Sequence, residues 1–273
     1  MRIITSHIQK LFLLLILLLP ATAKAAAVGE WTYYLSYHDA THCITVGNSV
    51  YALYGGNLLI FDTEDSSVTP LTKLNGLSEK EISLMHYCKE AGKVVLVYSN
   101  GNIDLLQRNG EVENIPQYKN KYSGSTFYDL TISGTSAFLS TNEGIVHLNV
   151  KEGDITGFYN LNTPIKSTTL FKGMLYAATD AGIYRCDITE NPLDHSTWSV
   201  FSTLTARHLI AMGDYLYFNT EKKGVYILEP SAAAPRQFIT TSQAYLAFQA
   251  LSSCSYLTTN TEQTARSSAL TAL

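Results

Sequence analysis

The chain has 273 residues and a formal net charge of −4, with 46% hydrophobic, 11% aromatic and only 15% charged residues. That composition excludes a disordered tail, a coiled coil and a disulfide-stapled miniprotein, and leaves a globular chain with ample core. Its many turn-forming and aromatic residues, 17 Gly and 18 Tyr, lean toward an all-β fold.

The first segment in chain order is a secretory signal over residues 1–25. Arg2 and Lys10 bracket a positive start, Leu11 to Leu19 is apolar, and Pro20 precedes the small-x-small site Ala23-Lys24-Ala25. As a helix that apolar run spans only about 14 Å, against the roughly 30 Å hydrocarbon layer. No cysteine stands at the cleavage site, so no lipid attachment is expected there, and no later stretch is apolar for 18 residues. Removing residues 1–25 leaves 248 residues and a charge of −7. The mature protein is therefore expected to be exported and not to bind nucleic acid, which needs clustered Lys and Arg. The pairs Lys119/Lys121 and Lys222/Lys223 read as solvated turns.

Residues 26–243 carry a repeat. Gly56, Gly101, Gly144, Gly182 and Gly224 recur at spacings of 45, 43, 38 and 42. Each divides two β-rich runs, as in Val94 to Leu106 (VVLVYSNGNIDLL) and Leu175 to Ile188 (LYAATDAGIYRCDI). A second series, Gly47, Gly92, Gly134, Gly173 and Gly213, recurs just upstream at 45, 42, 39 and 40, each after a short apolar run. One unit thus reads strand, glycine turn, strand, glycine turn, strand, because glycine reaches the positive φ of tight hairpins. A weaker fourth strand follows, as at Asp154 to Tyr159 or Thr197 to Phe201. Four antiparallel strands about every 40 residues predict a β-propeller whose blades stack because one sheet cannot bury both faces. A β-sandwich would not keep two glycine registers in step over five units. Leu77 to Met85 is the one short helix candidate, with Ser78 and Glu81 spaced as a capping box, though a turn before a strand suits it better.

Five units are visible where 248 residues would hold nearly six, so the propeller reads as partial. Residues 244–273 lack Gly and Pro and abandon the repeat. They are expected to be poorly ordered: either the tail is a non-native extension or the chain is a fragment of a longer protein.

Candidate chemistry is sparse. Cys43, Cys88, Cys186 and Cys254 are spaced 45, 98 and 68 apart and contain no C-x-x-C, which excludes the common zinc and redox motifs. The first three lie in apolar runs and read as small core residues, with one disulfide left open. His38 and His42 lie on a strand, where four residues span about 13 Å, too far for one metal ion. Asp62 to Ser67 resembles the start of a calcium loop but lacks the turn glycine and the closing Glu. There is no nucleophile elbow, P-loop or dinucleotide fingerprint. Asp104 and Asp129 are isolated carboxylates that spacing cannot pair. Tyr51, Tyr98, Tyr176 and Tyr217 recur in the first hairpin strand and read as blade packing. No catalytic, cofactor or metal residue is assigned, and the ligand-binding residues are unknown.

Leu74-Asn-Gly-Leu-Ser78, Tyr98-Ser-Asn-Gly-Asn-Ile-Asp-Leu-Leu106 and the start Gly29-Glu-Trp-Thr-Tyr-Tyr-Leu-Ser-Tyr37 carry a resemblance over about residues 29–240. The chain resembles the N-terminal propeller of the PorZ-like family of the type IX secretion system of Bacteroidetes. Its Asn-Gly-Leu-Ser element is also similar to two-component-regulator propeller repeats. The resemblance implies a non-enzymatic protein without cofactors, in the periplasm or at the outer-membrane surface. It implies as partners the attachment complex, with its sortase-like member, and anionic lipopolysaccharide. Two other readings stay open. One is the periplasmic ligand-sensing propeller of a hybrid two-component regulator. The other is a glycan-active propeller enzyme, which carboxylates or histidines converging in the central channel would favour.

Overall fold

In the computed structural model, residues 40–121, 124–220, 224–229 and 232–239 are described in full, and 245–250, 255–259 and 268–270 as backbone. All belong to one compact unit, Tyr37–Leu273. The leader 1–25, His38, Lys222, Lys223 and Cys254 lie outside the described residues.

Five four-stranded antiparallel sheets follow one another along the chain, each ordered as its strands occur in sequence. Blade one holds β1 (Ala40–Val46), β2 (Ser49–Tyr54), β3 (Asn57–Asp62) and β4 (Val68–Leu71). Blade two holds β5 (Ile82–Cys88), β6 (Lys93–Tyr98), β7 (Ile103–Gln107) and β8 (Val112–Ile115). A one-turn helix α1 (Gln117–Lys121) leads to blade three: β9 (Phe127–Ser133), β10 (Ser136–Thr141), β11 (Ile145–Asn149) and β12 (Asp154–Tyr159). Blade four has β13 (Ile165–Phe171), β14 (Met174–Thr179), β15 (Gly182–Asp187) and β16 (Ser199–Ser202). Blade five has β17 (Leu209–Met212), β18 (Tyr215–Thr220), β19 (Gly224–Leu228) and β20 (Arg236–Ile239). The first strands touch in succession, β1 to β5, β5 to β9, β9 to β13 and β13 to β17, so they line the inside of the ring. This is an unclosed β-propeller of about five blades, as the glycine registers predict.

Within 244–273, where no strand was expected, Tyr245–Ala250, Ser255–Thr259 and Ser268–Leu270 pair as a three-stranded antiparallel sheet. The rest of that stretch lies outside the described residues.

The core lies between blades. Leu53, Leu58, Met85, Leu96 and Tyr98 fill the gap between blades one and two, and Val97, Leu105, Leu130 and Leu139 that between two and three. Second strands sit deepest because sheet covers both their edges and both their faces; β6 is buried from Val94 to Tyr98. Tyr51, Tyr98 and Tyr176 pack there as expected, whereas Tyr217 is only half-buried.

Two readings need correction. Cys88 and Cys186 are buried, but Cys43 is exposed, because alternation along β1 turns it away from the face that buries Val46. Leu77 to Met85 is turn and then strand, as preferred above, and the helix among the described residues is α1. Its Lys119 is no solvated turn residue: it pairs with Glu79, which also meets Lys73 at 3.0 Å. These two ammonium groups hold the Glu79 carboxyl down to about 2.

Candidate functional site

Antiparallel pairing sorts the connections onto two faces. First strands begin, and second strands end, on the face that carries the between-blade connections and the Gly56, Gly101, Gly144, Gly182 and Gly224 turns. The other glycine series closes the opposite face.

The recognition string Leu74 to Ser78 is a between-blade connection on the first face. Asn75 Oδ1 accepts from the Thr72 backbone N–H at 2.6 Å, and Asn75 Nδ2 donates to the Pro70 carbonyl at 2.7 Å. Leu77 is buried between blades one and two. The Ser78 N–H donates to Asp104 Oδ2 at 2.9 Å. Asp104 is fully buried and also accepts from Tyr98 Oη at 2.5 Å and Asn114 Nδ2 at 2.7 Å. Burial, with the carboxylate beside it, raises the Tyr98 phenol far above its ordinary value. Asp104 is therefore a structural clip, not an acid or base presented to a ligand.

Asp129 stands differently. On or just before the five first strands stand His42, His86, Asp129, Ser167 and His208, one from each blade, and the three histidines lie close enough to Asp129 to interact with its charge. Ser167 Oγ donates to Asp129 Oδ2 at 2.5 Å and accepts from the Leu209 N–H at 3.0 Å, bridging blades three, four and five. The Leu130 N–H bonds Asp129 Oδ1 at 2.9 Å. Burial raises the Asp129 carboxyl, against the Ser167 hydrogen bond and the nearby His208 and His86. Burial lowers His86, and burial with the neighbouring His86 lowers His42. His42 Nε2 is buried without a hydrogen-bond partner among the described residues. The channel thus gathers three imidazoles around one carboxylate, a convergence the sequence reading left unpaired. Among the described residues no second carboxylate is bonded to Asp129, and its oxygens accept from serine and backbone. No group of three His, Cys, Asp or Glu among the described residues is placed to hold a metal.

Beside this cluster a cavity of about 490 Å³ opens on the first face, between blades three, four and five. Blade three contributes Tyr128; blade four contributes Lys166 and the Thr179–Asp180 turn. The connection into blade five contributes Thr205 to His208. The Lys166 ammonium lies 4.5 Å from the Tyr128 ring centroid and 3.6 Å from Asp180 Oδ2. The Arg207 N–H donates to the Asn219 carbonyl at 3.2 Å and the His208 N–H to Asn219 Oδ1 at 2.8 Å, fixing that wall. Sequence reasoning missed Lys166 and Arg207, since single basic residues in strand and loop carry no motif.

Asp62 to Ser67 is a self-capped turn. Glu64 N–H bonds Asp62 Oδ1 at 2.8 Å, and Ser67 N–H bonds Asp65 Oδ1 at 2.9 Å. The Ser67 hydrogen bonds hold Asp65 below its ordinary value. No helix among the described residues is long and apolar enough to cross a membrane.

Comparison with known proteins follows the architecture. PorZ of Porphyromonas gingivalis, described as an essential bacterial surface component of its type IX secretion system, superposes with a TM-score of 0.73 at 21% identity. The match covers 89% of this chain and 34% of that one, so this chain spans about a third of that length. The Neurospora crassa Pan2 WD40 domain gives 0.58 at 12% identity, over 80% of this chain and 71% of that one. A protein described as the extracellular domain of the one-component system BT4673 of B. thetaiotaomicron gives 0.57 at 16%, over 87% and 36%. At such identities these likenesses show the fold alone. No curated protein matches the chain. The description TSS9, PorZ, N-terminal beta-propeller domain matches residues 50–199, more than half of the sequence. With the Asn75 connection and the Tyr98–Asp104 clip inside that span, the chain belongs to the family of PorZ N-terminal β-propeller domains of type IX secretion.

Proposed function

We propose that this chain acts as a non-catalytic, exported propeller in type IX secretion at the outer membrane. In this role it binds anionic lipopolysaccharide or delivers it to the attachment complex that holds the sortase-like partner. Membership of the PorZ propeller family over residues 50–199 is the observation that carries this reading. The leader at 1–25 supports export. The imidazoles gathered at Asp129 meet the condition set above for a glycan-active enzyme; against that reading, Asp129 is engaged by Ser167 and backbone, and no second carboxylate among the described residues is bonded to it.

The test is recovery of a tagged full chain from Bacteroidetes outer-membrane extract. Lipopolysaccharide and attachment-complex proteins are expected to co-purify with it. Recovery of neither would overturn the proposal.

A further inference from the structure

We propose that the cavity between blades three, four and five is a binding site for a neutral sugar unit, whose hydroxyls are shared between the Lys166 ammonium and the Asp180 carboxylate. This deepens, and rests on, the reading of the chain as a binder of glycolipid. The Lys166 ammonium lies 3.6 Å from Asp180 Oδ2 and 4.5 Å from the Tyr128 ring centroid, and all three residues line the cavity. At 3.6 Å the pair is wider than a hydrogen bond, and the Asp180 side chain is 72% exposed, so both groups keep hydrogen-bonding capacity for a ligand. An ion of either sign entering there meets a like charge beside its partner. A vicinal diol instead donates to the carboxylate and accepts from the ammonium at the same time. The site is built without Arg207, which has a partner of its own.

The volume of about 490 Å³ falls in the range of small-ligand sites. Its lining is mostly polar: only Ala206 and the Tyr128 ring are apolar, which leaves an acyl chain little to bury against. Thr205 adds a hydroxyl and His208 an imidazole, groups that both donate and accept, as a polyol requires. Among the described residues, no hydrogen bond engages the Thr205 or Tyr128 hydroxyl. The site is also preformed. Cation–π contact with Tyr128 holds Lys166, and Asn219 Oδ1 accepts from the His208 N–H at 2.8 Å. Thr179 Oγ1 donates to the Gly182 carbonyl at 2.9 Å, locking the turn that carries Asp180. Little ordering is then left for the ligand to impose.

Saturation-transfer NMR of the full chain with the methyl glycosides of glucose, mannose, galactose and rhamnose tests this. Cyclohexanol serves as a mostly apolar ring of similar size, and inorganic phosphate as a bare anion. At least one glycoside is expected to receive saturation and to titrate to a plateau, with none reaching cyclohexanol and no displacement by phosphate. Asp180→Ala and Lys166→Met, each checked for an unchanged melting temperature, should weaken that glycoside roughly fivefold, the loss of one hydrogen bond. Silence of all four glycosides, cyclohexanol binding as well as they do, or displacement by equimolar phosphate would each overturn the proposal. So would unaltered affinity in either folded variant. If silent glycosides accompany recovery of lipopolysaccharide from membrane extract, only the site falls and the secretion reading stands.

Discussion

Asp104 shows how a carboxylate that looks solitary in sequence can be the most constrained side chain in its blade. It is fully buried and accepts from the Ser78 N–H, Tyr98 Oη and Asn114 Nδ2, joining the blade-one-to-two connection to β6, β7 and β8. Replacing it by Ala strands the buried Tyr98 hydroxyl and the part-buried Ser78 N–H, while the exposed Asn114 amide keeps the Ile103 carbonyl. We expect Asp104→Ala to lose about 3–5 kcal/mol of unfolding free energy, against about 1 kcal/mol for Tyr98→Phe, which removes one partner. Urea titration followed by tryptophan fluorescence measures both; equal losses would show that Asp104 is not the hub. Its role was hidden because Ser78 is 26 residues away, and only packing of the connection brings the two together. The channel residues were better marked. His42, His86, Asp129, Ser167 and His208 each stand five or six residues before a glycine of the upstream series. The repeat that revealed the blades therefore also indexes the ring interior, but the identity of the residue varies at that position and conceals the pattern.

At the scale of the element, the hairpin turns explain why the glycine registers are so regular. In blades three and four, Gly144 and Gly182 adopt φ of +150° and +134°. A Cβ at either would collide with a backbone carbonyl oxygen of the outermost strand side, that of Tyr159 or Ser202. The Thr three residues earlier completes the turn: Thr141 Oγ1 and Thr179 Oγ1 each donate to the glycine carbonyl at 2.9 Å. We expect Gly182→Ala to cost about 2–4 kcal/mol, combining an unfavourable φ with a backbone clash, and Thr179→Val about 1 kcal/mol for one hydrogen bond. Thermal unfolding of both variants checks the order; a Thr179→Val loss as large as that of Gly182→Ala would refute it. Such turns are legible because their constraint is local. The helix α1 was not, since Gln117-Tyr-Lys-Asn-Lys121 has one buried residue, Tyr118, and no apolar period. Cys43 was misplaced for a related reason: an apolar run fixes that β1 is a strand, whereas the parity of its alternation decides which side chain faces the core.

Across the whole molecule, the blades are tied at the ring interior by polar groups as well as by the apolar interfaces outside it. Asp129 is the centre of that tie, bonded to Ser167 and facing His42 from blade one, His86 from blade two and His208 at the entry to blade five. Burial raises its carboxyl above the ordinary value of 3.8. A carboxyl that holds its proton more tightly when folded adds stability that is full below its unfolded value and is lost as pH rises through its folded value. His42 and His86, lowered from 6.5 by burial, act in the opposite sense and lose stability as pH falls. A comparison of the parent chain with Asp129→Asn separates the two. Asn keeps one acceptor oxygen, so one of the bonds from the Ser167 hydroxyl and the Leu130 N–H is lost, a cost that does not change with pH. Loss of the carboxylate lowers His42 and His86 further in the variant, which shifts the difference in the same direction. The stability of the parent relative to Asp129→Asn should therefore fall steadily between pH 4 and pH 7. A tenfold difference in proton affinity corresponds to about 1.4 kcal/mol of that fall. Urea midpoints at pH 4, 5.5 and 7 measure it. A relative stability that instead rises with pH would mean that the three imidazoles, rather than burial, govern the carboxylate at the centre of the ring.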